Sequence, residues 1–209
     1  MMYSMTARQH MKTLITATVL ITGLLAAQAQ ERLPREEALK YACYASLDLK
    51  AMLGTPIPTD PDIKRPVAVR HDNHGLMVLP EAKLSAQTFA AAGEAVKPVG
   101  QLWLVNLAPM RDGQVVSSAS LRMVHVRGGD QEADAACCAL GVSKKADGAL
   151  ELLVYGKDKD ALLRVPLKSI STPQENPIEM SGEAKEESGV VTLKFIGKYE
   201  ASINVTEPQ

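Results

Sequence analysis

The stretch that decides the fold is YEASINVT, residues 199–206. Its odd-numbered positions are apolar or small, and its even-numbered positions are polar. Successive side chains of a β-strand point to opposite faces, so this alternation predicts a strand with one buried and one solvated face. The preceding run, residues 190–196, alternates in the same way, with Val191, Leu193 and Phe195 on one face. The end of the chain therefore predicts two strands packed on a core.

Short β-like runs separated by turn-forming residues continue back to residue 67. Val67–Arg70 and Leu76–Leu79 flank the cluster Asp72–Gly75, which predicts a hairpin. Ser85 to Ala92 predicts a short helix capped by Ser85. Regularly spaced short strands with glycine, aspartate and lysine turns are typical of antiparallel sandwiches. We therefore predict a mainly β protein, an antiparallel β-sandwich of about seven to nine strands over residues 67–209.

A helix and a proline-rich linker precede the predicted sandwich. Within residues 30–54, Pro34 opens a segment with acidic residues in its first turn, and Gly54 follows its last apolar residue. An apolar stripe recurs every three or four positions, at Ala38, Tyr41, Ala45, Leu49 and Met52. Residues 55–66 contain four prolines, a composition that excludes a helix or a strand ladder and predicts an extended linker.

Residues 1–29 resemble a signal peptide in their pattern of charge and hydropathy. Arg8 and Lys12 precede an uncharged apolar run at 14–27, and Ala27-Gln28-Ala29 fits a peptidase site. We expect cleavage before Gln30, a secreted or periplasmic location, and no membrane insertion afterwards. The remaining chain has 21 basic and 24 acidic residues in a scattered arrangement. This balance gives no basic surface for nucleic acid or lipid headgroups.

The most distinctive chemistry is the cysteine doublet in ADAACCALGV, residues 133–142. With Cys43 it leaves four alternatives open: a Cys43 disulfide, buried free thiols, a metal site, or a vicinal bond. In a strand, Cys138 shares the more apolar face with Ala136 and Leu140, so it is the better core residue. Cys137 would then face outward, where the amphipathic helix can dock. If a disulfide exists, we predict Cys43 with Cys137.

The histidines strengthen the metal alternative only a little, through His71 and His74 in the predicted hairpin turn. With a cysteine they could bind copper or zinc, but the spacing offers no complete set of four ligands. Two histidines in a turn beside Asp72 are more often solvated polar residues. We therefore assign no metal and no cofactor from the sequence.

Motifs of catalysis are absent from the sequence. It has no G-x-S-x-G, no phosphate-binding loop and no dinucleotide fingerprint, and Trp103 between leucines favours burial over sugar stacking. We predict an exported, non-catalytic module that is structural or binds an unidentified protein. The alternatives are an envelope metal-binding protein using His71, His74 and a cysteine, and a hydrolase whose site only the fold would reveal.

One internal similarity has two explanations. Residues 144–157 align without gaps on residues 185–198, with matching lysines and glycines. A duplicated hairpin would explain the match. Turn–strand–turn segments resemble each other in any β protein, and we favour that explanation.

Overall fold

A computed structural model describes residues 31–47, 56–128, 131–185 and 188–208. Over these residues the chain forms fourteen β-strands and two α-helices, α1 (Arg35–Leu47) and α2 (Ala86–Ala90). The strands are β1 (Glu31–Arg32), β2 (Val67–His71), β3 (His74–Pro80), β4 (Lys97–Val105), β5 (Ala108–Arg111), β6 (Gln114–Val115), β7 (Arg122–Gly128), β8 (Gln131–Lys144), β9 (Leu150–Tyr155), β10 (Leu163–Pro166), β11 (Lys168–Ser169), β12 (Ile178–Ala184), β13 (Gly189–Phe195) and β14 (Tyr199–Thr206). The predicted signal peptide, 1–29, lies outside the described residues.

The strands form two antiparallel sheets. The first sheet has the order β1-β2-β3-β4-β8-β9-β10, and β7 pairs with the first half of β8. The second sheet has the order β12-β13-β14-β5-β6, and β11 pairs with β14. β8 has fourteen residues and is long enough to pair with β7 and then with β9 along the same edge.

The two sheets pack face to face around one large apolar core. Leu102, Leu140 and Leu152 of the first sheet meet Leu193 and Ile203 of the second, and all five are buried. This packing confirms the predicted antiparallel sandwich. Nine of the fourteen described strands have five or more residues, and the other five are pieces of two to four residues that the hydropathy pattern does not resolve.

The alternation that predicted the fold is present in β14. Ala201, Ile203 and Val205 are buried, and Ser202 and Asn204 are exposed. The predicted hairpin is present as β2 and β3, with His71 paired to His74. The predicted short helix is α2, where the Ser85 N–H donates to the Thr88 hydroxyl at 3.3 Å. Its Phe89 is buried, stacks on Tyr199 and makes a tilted ring contact with Phe195.

The helix α1 packs on the outer face of the first sheet. It begins directly after Pro34, whose carbonyl accepts a hydrogen bond from the Ala38 N–H at 3.0 Å. Residues 31 and 32 form β1 against β2, and residues 48–54 of the predicted segment lie outside the described ranges. Its buried residues are Ala38, Ala42 and Ala45, with Tyr41 half-buried, so three of the four contact residues belong to the predicted stripe. In the described part of the chain no helix is long and apolar enough to cross a bilayer.

The described part of the proline-rich segment, residues 56–66, lies along the other half of that outer face, and we call it the strap. Ile57 is buried against β8 and β9, and Thr59 accepts a hydrogen bond from Gln101 Nε2 at 2.8 Å. Pro61 forms a β-bridge with Glu81. Its side chains thus bind the strap to the sheet, and towards its end the strap turns, where the Arg65 N–H donates to the Asp62 carbonyl at 3.2 Å.

Candidate functional site

The candidate site is an apolar cleft of about 470 Å³ between α1 and the outer face of the first sheet. Small residues set its shape, because Ala38, Ala42 and Ala45 let the helix approach the strands closely. The helix crosses the sheet from β2 at its N-terminal end to β7 at its C-terminal end. We call this space the cleft; it is lined mainly by Tyr41, Tyr44, Ala68, Met77, Trp103, Val105, Val126, Ala133 and Ala135.

The two ends of α1 are held differently. At its start, the Leu33 N–H donates to the Ala68 carbonyl at 2.9 Å. At its end, the Tyr44 ring lies directly on Gly128, where any Cβ would overlap the ring. Glycine at the last residue of β7 therefore permits the helix to seat over the sheet. These two contacts together set the distance between α1 and the sheet.

Trp103 forms the floor of the cleft in a fixed orientation. Its indole Nε1–H donates to Gln101 Oε1 at 3.1 Å, and Gln101 Nε2 donates in turn to Thr59 of the strap. Trp103 is only 2% exposed, and Gln101 is fully buried. A buried indole N–H with a partner leaves the ring faces free for apolar contacts. The prediction that Trp103 is buried is confirmed.

Polar residues of the β2–β3 hairpin form one rim of the cleft. Arg70 pairs with Glu37 at 3.2 Å and with Glu31 at 3.4 Å. His74 Nε2 lies 3.1 Å from the Glu207 carboxylate. The rim therefore carries both signs of charge, already paired within the chain. The unpaired chemistry of the cleft is therefore that of its apolar interior.

The two cysteines of the doublet lie on opposite faces of β8. Cys138 is fully buried between the two sheets, and Cys137 is 1% exposed beneath α1. Burial raises the pKa of the Cys138 thiol to about 12. Burial, with a smaller contribution from Cys138, also raises the pKa of Cys137 well above its ordinary value, and Arg122 opposes the shift. The face assignment from the sequence is correct, and neither thiol is suited to act as a nucleophile.

The predicted Cys43–Cys137 bond concerns two cysteines in different environments. In this structure the three cysteines are free thiols, Cys43 is exposed on α1, and Cys137 is buried beneath the helix. The pairing stays a prediction, to be tested by counting thiols.

The two histidines of the hairpin are neighbours, but no cysteine joins them. His71 lies 3.6 Å from Asp72, and His74 contacts Glu207. Within the described ranges, no three side chains among His, Cys, Asp and Glu converge as metal ligands. The sequence-based metal alternative, which used His71, His74 and a cysteine, gains no support from the geometry.

A buried carboxylate lies away from the cleft. Glu151 on β9 accepts a hydrogen bond from the Ser143 hydroxyl at 3.1 Å and pairs with Arg164 at 2.7 Å. The arginine neutralises the acid, and the serine is its hydrogen-bond donor rather than a base-activated nucleophile. This cluster ties β8, β9 and β10 together and does not favour the hydrolase alternative.

The sequence predicts parts of the cleft but not the cleft itself. The helical stripe contains Tyr41 and Ala45, and the burial of Trp103 was predictable. Met77, Val126 and Ala133 come from three separate strands whose pairing no local pattern specifies. In a comparison of this chain with protein-family models, curated proteins and solved structures, nothing matches.

Proposed function

We propose that this protein is an exported, non-catalytic module that binds a protein partner by taking an apolar side chain of that partner into the cleft. The observation that carries the proposal is the cleft itself. Its volume lies in the range of about 300–1,000 Å³ typical of ligand sites. Its walls are aromatic, aliphatic and alanine side chains, with polar groups only at the rim.

An exposed apolar side chain beside the cleft favours a protein partner over a small molecule. Leu47, the last residue of α1, is 74% exposed. It follows the cleft-lining Tyr44 by three residues, so both side chains lie on the same side of the helix. A small molecule would fill the cleft and leave Leu47 in water.

The non-catalytic part of the proposal is supported by the chemistry of the cleft. The side chain with nucleophilic potential beneath it is Cys137, which is buried and held as a neutral thiol. The rim histidine, His74, is engaged with Glu207. Export is supported by residues 1–29, whose sequence has the charge and hydropathy pattern of a signal peptide.

The experiment uses an anilinonaphthalene sulfonate dye as a stand-in for an aromatic side chain. Trp103 is the single tryptophan of the chain and forms the cleft floor, so energy transfer from Trp103 to the dye reports occupancy. Ala133→Phe adds a ring at the half-buried Ala133 and should fill the cleft. We expect dye affinity to fall about tenfold or more, equivalent to about 1.4 kcal/mol.

The matched control is Ala184→Phe, the same exchange at an exposed position of the second sheet. It should leave dye affinity unchanged. The proposal is wrong if the folded protein binds no dye, or if the two variants weaken binding equally.

A further inference from the structure

The strand β7 is an edge strand that forms one wall of the cleft. It pairs with β8 along one side, and in the described part of the chain no strand pairs along its other side. Val126 and Gly128 of β7 line the cleft. An unpaired strand edge presents a row of backbone donors and acceptors to any extended chain that approaches it.

The register of β7 against β8 identifies the outward backbone groups. Gly128 pairs with Gln131, and two residues connect them in the sequence. The pair that closes a two-residue connection exchanges hydrogen bonds, and bonded pairs then alternate along an antiparallel ladder. The N–H and C=O groups of Met123, His125 and Arg127 therefore point away from β8.

The side chains of β7 divide between two faces. Val124 and Val126 face α1, and Val124 is buried beneath it. Met123, His125 and Arg127 face the other way and are exposed. A strand added beside β7 would place every second side chain on the α1 face, next to Val126 and the opening of the cleft.

We infer that the partner binds by strand addition: an extended segment of another protein pairs with the free edge of β7 and inserts an apolar side chain into the cleft. This inference rests on the proposed function, because it names how the partner engages the same cleft. In this mode main-chain hydrogen bonds supply affinity, and pockets for alternate side chains supply specificity. The segment carries apolar residues at every second position.

The same geometry disfavours a second copy of this chain as the occupant. In a second copy, Val124 and Val126 already lie against its own α1, so pairing through β7 would leave both clefts empty. The face of β7 that carries His125 and Arg127 does not select a charge in the partner segment. His125 contacts Asp134 at 2.8 Å, and Arg127 contacts Glu132 at 3.4 Å, so each basic side chain has an acid on β8.

The test begins with ten-residue peptides displayed on phage and selected on the folded, signal-free chain. The selected peptides should carry apolar residues at alternate positions, and their binding should quench or shift the emission of Trp103. On binding, hydrogen exchange at the amides of Met123, His125 and Arg127 should slow about tenfold or more. Peptides with an apolar repeat of three to four residues, or unchanged exchange at these amides, would overturn the inference.

Two variants of His125 distinguish the contribution of its backbone N–H to peptide binding from that of its side chain. His125→Pro removes an outward N–H, which an edge strand tolerates, while His125→Ala removes the same ring and keeps the N–H. We expect at least a tenfold higher peptide Kd for His125→Pro and less than threefold for His125→Ala. Equal values would reject strand addition, and the exchange measurement decides the matter if the proline variant does not fold.

Failure of the two proposals gives different results. If Ala133→Phe abolishes peptide binding and His125→Pro does not, the cleft binds the partner without strand addition. If His125→Pro abolishes binding and Ala133→Phe does not, the edge binds a partner that leaves the cleft empty. If no selected peptide binds, strand addition is rejected, and dye binding alone decides the role of the cleft.

Discussion

Adjacent residues of β14 should differ sharply in their contribution to stability. Ile203 is 1% exposed and packs between the sheets, whereas the next residue, Asn204, is exposed on the opposite face. Replacing isoleucine by alanine removes three carbon atoms, about 2.4 kcal/mol of transfer free energy at about 0.8 kcal/mol per methylene. The cavity left between two rigid sheets adds to this, so Ile203→Ala should lower the free energy of unfolding by about 3–4 kcal/mol.

Asn204→Ala should change the free energy of unfolding by less than about 0.5 kcal/mol, because it alters only a solvated surface. Urea unfolding followed by Trp103 fluorescence measures both variants. Trp103 lies on the outer face of the first sheet and Ile203 in the second, so a shared transition also shows that both sheets unfold together. Equal losses for the two variants, or a loss below about 1 kcal/mol for Ile203→Ala, would refute the packing described here.

Three further predictions concern the helix, the thiols and the strap. Gly128→Ala should displace the Tyr44 ring and lower the free energy of unfolding. In a Tyr44→Ala background the same exchange should cost much less, because the ring that it displaces is gone. Losses that simply add in the double mutant would contradict the contact. A thiol reagent should modify Cys43 rapidly in the folded protein and all three cysteines in denaturant; a single reactive thiol in denaturant would instead establish a disulfide. Burial raises the pKa of Glu81, so its ionised form destabilises the fold, and stability is lost as the pH rises through that raised pKa. Glu81→Gln should therefore be more stable than the parent at neutral pH but not in acid, and a chemical-denaturation series across pH, with the exposed Glu183→Gln as control, checks the sign.

The strands near the end of the chain could be predicted because their side chains alternate between a buried and a solvated face. β13 and β14 each have a buried face and a solvated face, so their period-two pattern is complete. The central strands lack that pattern, since β4 and β8 are covered on both faces. The doublet shows this directly, because Cys137 and Cys138 are both buried although they point in opposite directions.

The strap shows why the linker was harder to interpret. Its prolines indicate a segment without helix, but composition does not reveal what such a segment lies against. Ile57 seats beside Gly141 of β8, where a side chain would collide with Val96. That contact joins residues more than eighty positions apart. Distant pairings of this kind also form the cleft, so no local reading of the sequence could locate it.

The two similar hairpin segments differ in structure. Residues 145–149 connect β8 to β9, whereas residues 185–188 connect β12 to β13, a difference of one residue. Gly148 has a φ of +86°, a left-handed conformation, while the aligned Gly189 starts the strand β13 and pairs with Ala184. The two aligned glycines therefore occupy different structural positions, which favours two unrelated turns of similar composition over a duplicated unit.

The most direct test of the central claim, that the cleft takes an apolar group, is a nuclear Overhauser measurement on protein with ¹³C-labelled methionine methyl groups. Met77 lines the cleft, Met180 lies in the core between the sheets, and Met110 lies on the second sheet. With the anilinonaphthalene dye bound, cross-peaks from the dye rings should reach the Met77 methyl group and the Trp103 indole. Cross-peaks to Met110 without any to Met77, or a Met77 methyl group that saturating dye leaves unchanged, would contradict the claim.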